Sequence, residues 1–185
     1  MQPRSLTLYL LIVGCEVAFW LVLLLALWVR YPLRREAASR WLLRSLPLID
    51  LLLLAFTAWD LRSGTRATFA HGLAAVYVGF TIMFGSVMIR WADAQFAHRF
   101  AAGPAPALVP SHGWALVRMD LVLWLRSIGA WVIALLLIGV LIEAIDDRSR
   151  TESLQAWYRY GFGSVFFWFI FGPLWSLVFF RRRPR

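Results

Sequence analysis

Two carboxylates stand where hydrocarbon is expected. Glu16 is the one ionisable side chain in LLIVGCEVAFWLVLLLALW, residues 10–28, and Asp50 interrupts LPLIDLLLLAFTAW, residues 46–59. An acid at the centre of a membrane helix costs about 2.5–3.5 kcal/mol on insertion scales, so such residues turn toward protein or a wet cavity. Counting helical rise inward from the predicted outer ends puts Glu16 and Asp50 near the midplane, and Tyr77 of a third segment reaches the same level. His71 falls about one turn below the outer surface, Thr57 at comparable height, and Glu143 at the rim. Glu143, His71, Thr57, Asp50, Glu16 and Tyr77 thus trace a polar track from the outer face to the membrane centre.

Three chemistries fit such a track. Intramembrane acids act as glue when they hydrogen-bond one helix to another. They handle protons or cations when two of them face a shared cavity and hold a proton between them, with His71 as the outer gate. They can also line a ligand site, including that of a lipid-modifying enzyme around His71 and Glu143. The first requires least of the sequence, and the spacing leaves the other two open.

No catalytic residue is assigned. H-E-x-x-H, G-x-S-x-G and P-loop patterns do not occur. His98 and His112 with Asp93 have neither the spacing nor the fourth donor of a metal site, so a solvated loop is the better reading. The aromatic stretch YGFGSVFFWFIFGPLWSLVFF, residues 160–180, reads as a lipid-facing surface with a kink at Pro173, and no cofactor box is found in it. No cofactor is expected.

The elements that must position these residues follow from composition. Of 185 residues, 61% are hydrophobic and 16% aromatic, more apolar surface than a soluble core of this size can hide. The fold class is all-α, a multi-span transmembrane bundle. A hydrocarbon core of about 30 Å needs about 20 apolar helical residues, and five segments qualify: 6–29, 41–59, 67–89, 127–145 and 160–180. The second is interrupted by Arg44, Pro47 and Asp50; Arg44 is well rotated from Asp50 and snorkels to the inner headgroups. Segment 6–29 is longer than a signal-peptide core and has no A-x-A-like site close behind it, which reads as a retained span. Cys15, the single cysteine, reads as a small packing residue.

All 19 basic residues are Arg, scattered between apolar runs, which argues for orientation in a bilayer and against a nucleic-acid partner. Thirteen fall on one side of the predicted topology and six on the other, which predicts N-terminus out and C-terminus in. The cytoplasmic loop 90–126 is predicted to hold interfacial amphipathic helical extensions. RWADAQFAHRF prolongs the third helix, AAGPAPALVP breaks it, and WALVRMDLVLWLR forms a second amphipathic stretch before the fourth span. Gly72, Ala75, Gly79 and Ser86 recur at helical spacing and predict one narrow face for close helix packing, within the chain or between copies. The expected partners are the lipid bilayer and either a second copy or another membrane protein.

Residues 67–104, ATFAHGLAAVYVGFTIMFGSVMIRWADAQFAHRFAAGP, with the E-x-x-F-W of Glu16, Phe19 and Trp20, resemble the YmcC-like group of small uncharacterised bacterial membrane proteins. The resemblance implies a multi-span fold in a bacterial inner membrane and brings no catalytic residue with it. The leading expectation is a non-enzymatic accessory or structural component with buried carboxylates. Proton- or cation-coupled transport by an oligomer and lipid modification are the alternatives.

Overall fold

Long runs of Leu, Ala, Val and Phe broken only by short Gly, Pro and charged turns leave the backbone one way to satisfy its polar groups, within each segment, and the chain folds into helices throughout. A computed structural model describes residues 3–100, 103–105, 109–110 and 112–180, with side chains described except at positions 3–9, 12, 16, 44, 47 and 50. The helices are α1 (Pro3–Arg30), α2 (Glu36–Arg62), α3 (Phe69–Phe100), α4 (Gly113–Ile145) and α5 (Arg148–Phe169). A π-helical turn (Ile170–Leu174) around the buried Pro173 then leads into α6 (Trp175–Val178), so the predicted kink takes the form of a π turn. No strand occurs among the described residues, and the expected all-α bundle is what forms.

Short connections make successive helices antiparallel neighbours. α3 is the central element: it packs against α1, α2, α4 and α5, while the backbones of α1 and α5 do not approach each other among the described residues. One buried cluster joins Leu61, Ala75, Trp131, Ile138, Leu154 and Trp157 from α2, α3, α4 and α5. A second, of Leu23, Leu27, Leu46 and Ala92, closes the other end of α1, α2 and α3.

The small-residue face of α3 is occupied within the chain. A Cβ at Gly79 would fall on the Ala130 carbonyl oxygen of α4, and one at Gly72 would fall on the Trp157 indole of α5. Ala75 is fully buried between them. Ser86 departs from the expectation: it is exposed, and its neighbour Gly85 is buried instead. Rotation does not account for this, since at about 100° per residue Ser86 falls between Gly79 and Ala75 on the same face; two turns past Gly79 that face is no longer covered by a described helix. WALVRMDLVLWLR forms the first turns of α4, which runs unbroken from Gly113, so the stretch expected before the fourth span is a helical extension of it.

Candidate functional site

The strongest constellation of described polar side chains lies where α2 turns into α3. Asp60 sits in the last turn of α2, and His71 in the first turn of α3. His71 is 1% exposed, and both of its ring nitrogens are engaged. The backbone N–H of Thr68 donates to Nδ1 at 3.1 Å, and Thr68 Oγ1 lies 2.9 Å from the same nitrogen. A backbone amide can only donate, so Nδ1 carries the lone pair and Nε2–H points to Asp60 Oδ2, 3.0 Å away. The local pattern T-x-x-H has the spacing of a capping box with histidine in the place usually held by Glu or Gln, and makes half of it: Nδ1 satisfies the N-cap amide, while His71 N–H donates to the Thr68 carbonyl.

The carboxylate is shared. Thr65 Oγ1 donates to Asp60 Oδ1 at 3.1 Å, which fixes the turn between the helices. α5 closes the corner: Arg150 Nη2 donates to the carbonyls of Leu61 (2.6 Å) and Thr65 (3.1 Å), and the Arg150 carbonyl accepts from Ala67 N–H at 2.8 Å. A guanidinium on the last carbonyls of α2 also complements the negative end of that helix. Phe69 stacks on Trp157 at 4.5 Å between ring centres and continues the contact into the core. Asp60, Thr65, Thr68, His71 and Arg150 therefore form one latch across α2, α3 and α5.

The residues expected on the polar track are distributed differently. Thr57, one turn before Leu61, is fully buried, and its Oγ1 has no hydrogen-bond partner among the described residues. Tyr77 packs with Cys15 against Leu53, Ala70 and Ala74, so α1, α2 and α3 meet at the level expected for the two acids. The side chains of Glu16 and Asp50 lie outside the described residues. Glu143 does not join the track. It is exposed and lines an outward groove between α4 and α5 with Val140 and Tyr158, while His71 is enclosed with Asp60 and Thr68. The physical reason is rotational, since Glu143 follows the exposed stripe of Leu136 and Val140 on α4.

A second polar junction closes the opposite end of the bundle. Arg30 Nη1 stands 3.2 Å from Asp93 Oδ1, and the Tyr31 hydroxyl donates to that oxygen at 3.0 Å. Burial, then the bond to Asp93 and its charge, raise the Tyr31 phenol above its ordinary 10.0, against the opposing pull of Arg30. Midway along the bundle, Arg126 Nη1 of α4 donates to the Met83 carbonyl of α3 at 2.9 Å. No group of three or more metal-ligating side chains occurs among the described residues.

Among the described residues, four stretches are long and apolar enough to cross a bilayer: Val13–Arg30, Phe69–Phe100, Gly113–Ile145 and Arg148–Val178. The chain is 41% identical over 145 residues to the "Uncharacterized membrane protein YmcC" of Bacillus subtilis (strain 168), an alignment covering 78% of each chain. This chain belongs to the YmcC family. Membership bears out the resemblance carried by residues 67–104 and, with the apolar helices, makes this a membrane protein. No family model and no solved structure matches the chain.

Sequence reasoning about this YmcC-family chain found His71 and missed Asp60, Thr65, Thr68 and Arg150. A signal existed for one of these, because Thr68 and His71 bracket a helix start at capping-box spacing. Arg150 had none, since its partner Leu61 lies 89 residues away.

Proposed function

We propose that this YmcC-family protein is a non-enzymatic, multi-pass component of the bacterial cytoplasmic membrane, N-terminus out and C-terminus in. Its polar side chains hold the bundle together, and it acts as a structural or accessory unit beside another membrane protein or a second copy. The observation that carries this reading is the saturation of His71. A general base needs a lone pair that a substrate can reach, and here Nδ1 is held by a backbone amide and Nε2 by Asp60 in a side chain that is 1% exposed. The separation of Glu143 from His71 likewise takes away the pair on which a lipid-modifying site would depend.

Proton- or cation-coupled transport remains the second reading because of helical register. Position 16 lies seven residues before the buried Leu23, and position 50 lies between the buried Leu46 and Leu53 at steps of four and three. Both backbone positions therefore fall on the inward stripes of α1 and α2. Proteoliposomes loaded with a pH-sensitive dye separate the two readings. Wild type and Glu16→Gln are expected to leak protons no faster than empty vesicles. Flux through the wild type that Glu16→Gln abolishes would establish transport and overturn the structural reading.

A further inference from the structure

The gap between α1 and α5 leaves one side of α3 uncovered along a groove of ≈ 300 Å³. Its walls are Phe19 and Trp20 of α1 and Trp168 of α5, and its floor runs along α3 from Tyr77 through Phe84 to Met88. From Tyr77 to Met88 is about 16 Å of helix rise, close to one leaflet of a hydrocarbon core about 30 Å thick. Volume over length gives roughly 19 Å² open to the centre of a water molecule, which is roughly 46 Å² of free cross-section once the water's own radius is added. A helix about 10–12 Å across needs roughly 80–110 Å² and does not fit. An extended hydrocarbon chain about 4–5 Å across, given the contact distance of carbon atoms, needs roughly 13–20 Å², so two fit.

We propose that this groove is a binding site for the acyl chains of a phospholipid from the leaflet at the arginine-rich end of the bundle. The direction follows from what lies beyond its foot. Trp28 of α1, Trp91 of α3 and Trp175 of α6 are all exposed there, the pattern of side chains that settle at the level of lipid headgroups. The other end of the groove stops at Tyr77, which is packed against Cys15 and Leu53, so the chains enter from the arginine end. This inference needs only that the protein sits in a bilayer and is independent of the structural or accessory reading.

The test uses full-length protein in phosphatidylcholine vesicles containing phosphatidylglycerol with a photoactivatable acyl chain. Cross-links are mapped by peptide mass spectrometry. Label is expected on α1, α3 and α5 residues of the groove. Thr81→Phe, which fills the groove, should lower it about tenfold, the effect of losing the contacts of about two methylenes. Trp20→Ala, which removes a wall, should lower it as well and serves if the first variant fails to fold. Val132→Phe in the separate α4/α5 groove should leave it unchanged. Label spread evenly over all lipid-facing helices, or unchanged in both groove variants, overturns the site. So does a dimer that Thr81→Phe dissociates, since that would assign the groove to a second copy.

Discussion

His71 Nε2 stands 3.0 Å from Asp60 Oδ2, and this bond ties the last turn of α2 to the first turn of α3. With Nδ1 accepting from Thr68, the imidazole serves as cap and cross-strut at once. Asp60→Ala leaves the enclosed Nε2–H without its acceptor and is expected to cost about 1–3 kcal/mol. Thermal unfolding in mild detergent measures it. His71→Ala with Asp60→Ala should show a coupling of about 0.5–3 kcal/mol, and additive losses would mean that the two side chains do not act as a unit.

The junction at the other end should matter less. Arg30, Asp93 and Tyr31 are partly exposed, so solvent screens the ion pair. Asp93→Ala is expected to cost about 1 kcal/mol, less than Asp60→Ala, and added salt should shrink its effect. Unfolding curves at low and high ionic strength compare the two variants directly.

Glycines divide by what stands opposite them. Gly79→Val drives side-chain atoms onto the Ala130 carbonyl and should force α3 and α4 apart, at a cost of about 1–3 kcal/mol or more. Gly14 has open space around a built Cβ, so Gly14→Ala is expected to be neutral or to stabilise by about 0.5–1 kcal/mol. Equal effects at the two positions would contradict the close approach of α3 and α4.

The start of α5 carries a pH dependence. Asp147 caps it, accepting from Ser149 Oγ at 2.7 Å and Ser149 N at 2.9 Å, and these bonds, the hydroxyl's first, hold its pKa below the ordinary 3.8. A depressed carboxyl contributes its stability above 3.8 and loses it as pH falls through the lower folded value. The stability difference between wild type and Asp147→Ala should therefore be full near neutrality and shrink on acidification below 3.8. Unfolding temperatures followed across that interval test the sign.

Much of the bundle is legible in sequence because bilayer physics is local. Apolar runs separated by turn residues dictate helices, and AAGPAPALVP could only break one. Gly72 and Gly79 announced a packing face because Gly at helical spacing serves little else. Ser86 keeps the rotation of that face and is exposed because spacing says nothing of how far along it a neighbouring helix extends, and Glu143 left the track because depth along a helix says nothing of rotation about it. Asp60 was hidden for a different reason: its partner lies across a turn whose geometry the latch itself creates.

Arg150 reaches the carbonyls of Leu61 and Thr65 across 89 and 85 residues of chain. During synthesis the α2–α3 turn leaves the ribosome well before the residue that completes it. The first three helices must then fold with that corner held by its own histidine cap alone, and α5 locks it on arrival. A chain stopped short of Arg150 would carry a provisional corner, the place where quality-control proteases should first find purchase.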